Sequence, residues 1–282
     1  MPIGRHRTSL RKRRSESMTF IAAMDNSGGS AGGVLDTYGQ PWTEEDKMEK
    51  IHAFRMRMIN SAMFDNRFID AAILYRDSVE RGAVPTLKSK GINAILKIDS
   101  GTNELGLLKD FDIDEMIQYA VKHDCYGTKM RSIISDVSMI DKVLIQQFKL
   151  AEKIYKNNLM PIVEPEIDIH NPNKATIEDI LVKSLTTYCQ RMKGKCILKL
   201  TLPDLPNTYL PLLKIHSVQR LVGLSGGYTT KQACERLSLN KNMEASFSRA
   251  LSEGLYYTDP DPFFETAIAS NISNIVEGSK AG

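Results

Sequence analysis

The chain has no apolar run approaching the ~18 residues of a membrane-spanning helix, so nothing in it points to a membrane protein. It has only four cysteines, Cys125, Cys189, Cys196 and Cys234, with no C-x-x-C pair and no secretory signal before them. Reduced thiols in a cytoplasmic protein fit that pattern best. Five histidines are scattered at positions 6, 52, 123, 170 and 216, with no H-x-x-x-H or H-x-x-D-H cluster. A histidine-bound catalytic metal is therefore disfavoured. No G-x-G-x-x-G follows the first strand-like run, and there is no internal repeat or low-complexity core.

Excess positive charge is also absent once one segment is set aside. The 282 residues carry 37 basic and 34 acidic side chains, but residues 1–17 hold six of the basic ones (Arg5, Arg7, Arg11, Lys12, Arg13 and Arg14) and one acid, Glu16. The remaining 31 basic and 33 acidic residues give a body of net charge −2, which excludes a nucleic-acid binder on charge grounds. The basic stretch has three readings: a disordered or over-extended start with Met18 as an alternative initiator, a transit peptide, or a patch for an anionic surface. We treat residues 1–17 as a disordered extension and 18–282 as the folded body.

What the body does have is alternation. Strand-like apolar runs at Phe20–Asp25, Asp70–Tyr75, Asn93–Asp99, Cys125–Met130, Met160–Ile167, Lys195–Leu202, Val218–Ser225 and Met243–Phe247 are separated by amphipathic stretches. Those stretches are Thr43–Asn60, Ser135–Asn157, Thr176–Met192, Thr229–Leu237 and Asp261–Val276. Eight strands alternating with helices predict an α/β fold, a single-domain (β/α)8 TIM barrel. An open doubly wound sheet is the rival, and Met243–Leu251 reads equally as a helix.

Charge recurs within these apolar runs at the spacing of one strand face. Side chains alternate with period two along a strand, so Lys97 and Asp99 share a face, as do Lys129 and Arg131, and Glu164 and Glu166. In a closed parallel barrel these charges enter one interior near the C-terminal strand ends, where barrel active sites lie. Burying them is costly unless they pair or do chemistry.

Lys199 is the centre of that pattern. Flanked by Ile197, Leu198, Leu200 and Leu202, its amine is set in apolar sequence. Desolvation and the cations Lys129 and Arg131 would favour the neutral, nucleophilic form suited to a Schiff base. The plain alternative is a lysine that snorkels or pairs with an acid. Glu164 and Glu166 flank Pro165. Such a pair can split its pKa values to leave one proton donor, or can simply belong to an ion-pair network. Two Ser-Gly-Gly turns, Ser27–Ser30 and Ser225–Gly227, could converge backbone N–H groups on phosphates, with Arg249 as a bidentate partner. Either turn alone is usually just a turn.

These pieces together resemble class I (Schiff-base) fructose-bisphosphate aldolases, particularly the shorter bacterial type. The matching segments are AAMDNSGGS (22–30), ILKID (95–99), GTKMRS (127–132), PIVEPEI (161–167), ILKLTLP (197–203), LSGGY (224–228) and ASFSRAL (245–251), in the family's order. The resemblance implies metal-independent, cofactor-free and reversible cleavage of fructose 1,6-bisphosphate to dihydroxyacetone phosphate and glyceraldehyde 3-phosphate, a step of glycolysis and gluconeogenesis. It implies that Lys199 forms the imine and that Glu164 is the acid/base, with Lys129 beside it. Asp25 would take the C4-hydroxyl proton. Ser225, Gly226, Gly227 and Arg249 would hold the C1 phosphate, Ser27, Ser30, Lys97 and Arg131 the far one, with Glu166 supporting the network.

The implied partners are a sugar bisphosphate and triose phosphates, not nucleic acid or membrane. Class I relatives often form oligomers, but nothing in the sequence identifies an interface. Asp99-Ser100-Gly101 departs from the family's common Asp-Lys-Gly and removes one cation near the mouth. The chain ends Gly278-Ser-Lys-Ala-Gly282, without the terminal tyrosine of vertebrate-type enzymes, as bacterial members do. That leaves open which residue exchanges the proton at enamine C3. The alternatives are a Schiff-base aldolase for another sugar phosphate, such as tagatose bisphosphate, or a non-catalytic barrel used as a binding scaffold.

Overall fold

Short, mainly apolar runs of three to eight residues, too short for stable helices, form the strands of a single sheet in the computed structural model, which describes residues 19–281. The basic segment 1–17 lies outside the described residues. The first half of the chain contains β1 (Phe20–Met24), α1 (Gly28–Tyr38), α2 (Lys47–Asn60), β2 (Ile69–Leu74), α3 (Arg76–Glu80), α4 (Ala83–Ser89), β3 (Asn93–Lys97), α5 (Ile113–Lys122) and β4 (Gly127–Ile134). The second half contains α6 (Ile140–Lys156), β5 (Met160–Ile167), α7 (Lys174–Arg191), β6 (Cys196–Thr201), β7 (Val218–Leu224), α8 (Thr230–Ser238), β8 (Met243–Ala245), α9 (Arg249–Ser252) and α10 (Asp261–Ala281). The strands are parallel and follow chain order from β1 to β8. This is the expected single-domain (β/α)8 barrel, nearly closed.

The expected strands fall within a few residues of the observed ones. The ambiguity at Met243–Leu251 resolves into both elements, a three-residue strand followed by the short α9. Four helices were not read from the sequence: α1, α3, α4 and α5. In α1 the cause is Gly28, Gly29, Gly32 and Gly33, poor helix formers that read as a turn. A Cβ at Gly32 would meet the Trp42 ring at 2.6 Å, so glycine there permits close packing.

The period of two sorts each strand. Phe20, Ala22, Met24, Leu96, Val163, Leu198 and Leu200 face the helices and join the large core between sheet and helix layer. Ile21, Ala23, Ala71, Ile73, Ile95, Met160, Ile162, Ile197 and Val222 form a second, separate core inside the barrel. Asp25, Lys97, Glu164 and Lys199 each lie two residues beyond a member of that inner core. The charges therefore sit one layer above an apolar plug, toward the C-terminal mouth.

Where the sheet closes on itself, the backbone ladder lapses. No strand pairing joins β8 back to β1 among the described residues, although the Ala23 N–H reaches the Phe247 carbonyl at 3.2 Å. Side chains stitch this seam. Inside the barrel Arg220 of β7 pairs with Glu244 of β8 and, at 2.8 Å, with Asp70 of β2. Outside it, α10 packs on α8, α9 and β8, and the Ala245 N–H donates to Ser279 Oγ at 3.2 Å.

Candidate active site

Three charged side chains on strands β4, β5 and β6, with Asp25 directly after β1, form one largely buried chain at the mouth. Lys129 Nζ lies 2.5 Å from Asp25 Oδ2 and 3.0 Å from Glu164 Oε2, and the other Glu164 oxygen lies 3.0 Å from Lys199 Nζ. Lys129, Glu164 and Lys199 are each less than 5% exposed. Two lysines and two acids thus alternate in sign, which offsets the desolvation that an unpaired charge would suffer there.

Electrostatics fix the ionisation of three of the four. Burial alone would raise the Asp25 carboxyl, but the Lys129 ammonium, helped by Lys199 and Lys97, holds it far below the usual carboxylate range. Burial likewise opposes Glu164, and Lys129 and Lys199 together hold its carboxyl below its ordinary value. Lys129 is pressed toward neutrality by burial, yet Asp25 and Glu164 hold it well above an ordinary lysine.

This differs from the sequence reading in one respect and decides another. Cations were expected to bear on Lys199, but Glu164 stands between Lys129 and Lys199 and contacts both. Of the two readings left open for Glu164 and Glu166, a coupled acid pair or an ion-pair network, the contacts favour the network, because Glu164 pairs with Lys129 and Lys199 while Arg131 pairs with Glu166. Glu164 is the acceptor in this state rather than the donor. Its backbone is clamped by Gln147 of α6: the Glu164 N–H donates to Gln147 Oε1 at 3.1 Å, and Gln147 Nε2 donates to the Glu164 carbonyl at 3.3 Å.

Of the residues expected at the far phosphate, Ser27 and Lys97 meet beside β1 and β3, whereas the Arg131 side chain on β4 turns to Glu166 of β5. Lys97 Nζ lies 3.4 Å from Ser27 Oγ and 3.7 Å from Asp99 Oδ1. Ser27 is the N-cap of α1, so what reads as a Ser-Gly-Gly turn is the start of an eleven-residue helix. Ser30 is exposed and its hydroxyl bonds back to the Ser27 carbonyl at 3.3 Å. A cleft of about 520 Å³ opens here, lined by Ser27, Gly28, Tyr75, Lys97 and Ser100 among others. Asp99 ties its rim together by accepting from the Gly101 N–H at 3.1 Å and the Arg131 N–H at 3.2 Å.

The other Ser-Gly-Gly segment follows β7 as an open loop. Gly226 and Gly227 have φ of 57° and 119°, a left-handed run that side chains resist, and a Cβ on Gly226 would meet Ile169 at 2.9 Å. Arg249, exposed at the start of α9, donates to the Gly227 carbonyl at 3.3 Å and so lies beside Ser225 and Gly226. This grouping is separate from the buried quartet and from the β1–β3 cleft.

One buried residue of this region escaped the sequence reading. Arg55, 1% exposed on α2, donates to the Asn26 carbonyl and, at 2.8 Å, to Ser78 Oγ. Burial pushes its guanidinium down to about 10, with Asp25 and Asp77 working the other way. Its signal was present: Arg55 falls on the apolar stripe of Ile51, Phe54, Met58 and Ile59, where a charge needs a reason.

Comparison with known proteins settles the family. No family model matches the chain. A Clostridium acetobutylicum protein named fructose-bisphosphate aldolase class 1 is 37% identical, over 95% of this chain and 97% of its own length. The Synechocystis protein of that name is 38% identical over 99% of both chains. The chain belongs to the class 1 fructose-bisphosphate aldolases. A third member, from Porphyromonas gingivalis, is 37% identical over 92% of this chain and 94% of its own. The family is one of lyases.

Among solved structures, a fructose-bisphosphate aldolase from Plasmodium falciparum superposes with a TM-score of 0.76 at 17% identity, covering 94% of this chain and 91% of that one. An archaeal fructose 1,6-bisphosphate aldolase gives 0.57 at 12% identity, covering 92% and 94%. At those identities the likeness supports the barrel alone. No helix among the described residues is long and apolar enough to cross a membrane.

Proposed function

We propose that the protein cleaves fructose 1,6-bisphosphate reversibly to dihydroxyacetone phosphate and glyceraldehyde 3-phosphate, through an imine on Lys199. The observation that carries this reading is the buried chain Asp25–Lys129–Glu164–Lys199, with contacts of 2.5, 3.0 and 3.0 Å.

Each member then has a proton to hold or move. Glu164 accepts the proton of the Lys199 ammonium, which frees the amine to attack the ketose C2. It returns a proton to the C2 hydroxyl of the carbinolamine, which leaves as water to give the protonated imine. Asp25, a carboxylate by virtue of Lys129, takes the C4-hydroxyl proton as the C3–C4 bond breaks. The bonding pair flows into the iminium, glyceraldehyde 3-phosphate departs, and protonation at C3 followed by imine hydrolysis releases dihydroxyacetone phosphate. Lys129, between the two acids, steadies both as their charge changes.

Ser225, Gly226, Gly227 and Arg249 hold the C1 phosphate in this reading. Ser27, Lys97 and Arg131 hold the far one, with Ser30 at its edge and Glu166 orienting Arg131. The cytoplasm is the compartment this reading assigns.

Borohydride trapping with dihydroxyacetone phosphate, followed by peptide mapping, tests it. One reduced adduct on Lys199 is expected, and Lys199→Ala should lose both adduct and turnover while keeping its circular dichroism. Activity of that variant within about tenfold of wild type would sink the imine assignment.

A further inference from the structure

The two phosphate groupings stand on opposite sides of the seam, where no strand pairing joins β8 to β1 among the described residues. The far grouping begins at Ser27, just after β1, and the near grouping includes Arg249, shortly after β8. A sheet ladder elsewhere fixes the spacing of neighbouring loops to a few tenths of an ångström. At the seam something else must do so.

Besides the Ala23 N–H bond and the Arg220 pairs, a further chain of polar contacts crosses it between the loops that follow β1 and β8. The buried Arg55 guanidinium donates to the Asn26 carbonyl, and the Asn26 side-chain oxygen accepts from Ser248 Oγ at 3.4 Å. Asn26 lies between Asp25 and Ser27, and Ser248 directly precedes Arg249. The other arm of Arg55 donates to Ser78 Oγ on α3, the helix after β2. A single guanidinium therefore reaches the loop after β1 and the element after β2, and through Asn26 the loop after β8. A charged group in a site that is 1% exposed is costly to keep; one of its two contacts is to Asn26 at the seam and the other anchors it to α3.

We propose that Arg55 is a positioning residue that sets the distance between the two phosphate grips across the seam, and so favours bisphosphorylated over monophosphorylated ketoses. This rests on the phosphate assignments given under Proposed function. A bisphosphate must satisfy both grips at once, and a misplacement of about 1 Å can cost up to ~100-fold. A ketose 1-phosphate engages only the near grip. Both substrates pass through Lys199, Glu164 and Asp25, so the ratio of their kcat/KM cancels any effect of Arg55 on the chemical step.

The test compares wild type, Arg55→Lys and Ser248→Ala on fructose 1,6-bisphosphate and fructose 1-phosphate, with borohydride trapping of dihydroxyacetone phosphate alongside. Arg55→Lys keeps the charge but loses the two-armed donor geometry. The expected result is a fall of about tenfold or more in the bisphosphate-to-monophosphate ratio, carried mainly by KM for the bisphosphate, with the Lys199 adduct still forming. Ser248→Ala should lower the ratio in the same direction. Combining the two should add little, because the contacts lie in series.

Equal losses on both substrates, or an unchanged ratio, would overturn the positioning role. If Arg55→Lys fails to fold, Ser248→Ala decides alone: an unchanged ratio in that variant overturns the proposal. A wild-type protein that forms no Lys199 adduct would instead defeat the functional reading on which the proposal stands.

Discussion

At the scale of the single residue, Lys129 is the most consequential side chain that does not itself form a bond to substrate. It holds Asp25 and Glu164 together at 2.5 and 3.0 Å and, with Lys199, keeps both as carboxylates. Lys129→Met would leave two buried acids facing each other with only Lys199 between them and neutrality. Removing one partner of a buried ion pair typically costs roughly 3–5 kcal/mol. A loss of that size in urea denaturation at neutral pH is expected, together with loss of turnover. A variant as stable as wild type would show that the quartet is not coupled in this way.

The elements show what the sequence made legible and where it failed. Strands such as Met160–Ile167 and Cys196–Thr201 were readable because their apolar runs are unmistakable and their charges fall at period two. That same period placed Lys129, Glu164 and Lys199 on one face before any contact was known. The sign of their neighbours was not readable, since it depends on how β4, β5 and β6 are staggered: Arg131, not Lys129, is the register partner of Glu164. Short or glycine-rich helices such as α1 and α3 were missed because their stability comes from packing on the sheet rather than from local propensity.

Gln147 was missed although it lies on the buried stripe of Val143, Leu144, Phe148 and Ala151. A polar residue in such a stripe shows that a partner exists but not which one. A similar long-range contact gives an element-level prediction. Ser279→Ala, far from the mouth on α10, removes the acceptor of the buried Ala245 N–H. The expected loss is about 1–3 kcal/mol with little change in the catalytic constants, measured by thermal melts beside steady-state assays. A melting point unchanged from wild type would remove α10 from the closure of β8.

For the whole molecule, the quartet sets a pH window. Asp25 and Glu164 have ordinary values of 3.8 and 4.5 and are lowered on folding. Their contribution to stability is thus complete above those values and is lost as pH falls through the folded ones. Lys129, ordinarily 10.5, is raised. Its contribution is complete below 10.5 and is lost as pH climbs through the higher folded value. The melting temperature should therefore hold between about pH 5 and 10 and decline outside that range. Glu164→Gln, which cannot ionise, should melt lower than wild type at pH 7, with the gap narrowing below about pH 4.5. A gap that stays constant down to pH 3 would mean that Glu164 is not ionised in the folded state.

The seam bears on how the chain reaches this state at all. Asn26 and Ser248, which meet across it, are separated by 222 positions in the chain. During synthesis Asp25 emerges early, yet the loop beside it cannot acquire its partner until more than two hundred further residues have left the ribosome. Contacts of such sequence separation carry a large loop-closure cost and slow the final step of folding. A nascent chain halted before β8 would hold all four members of the quartet and still lack the wall that seats them. The seating of the quartet thus waits on β8 and the loop after it, although every one of its members precedes β7 in the chain.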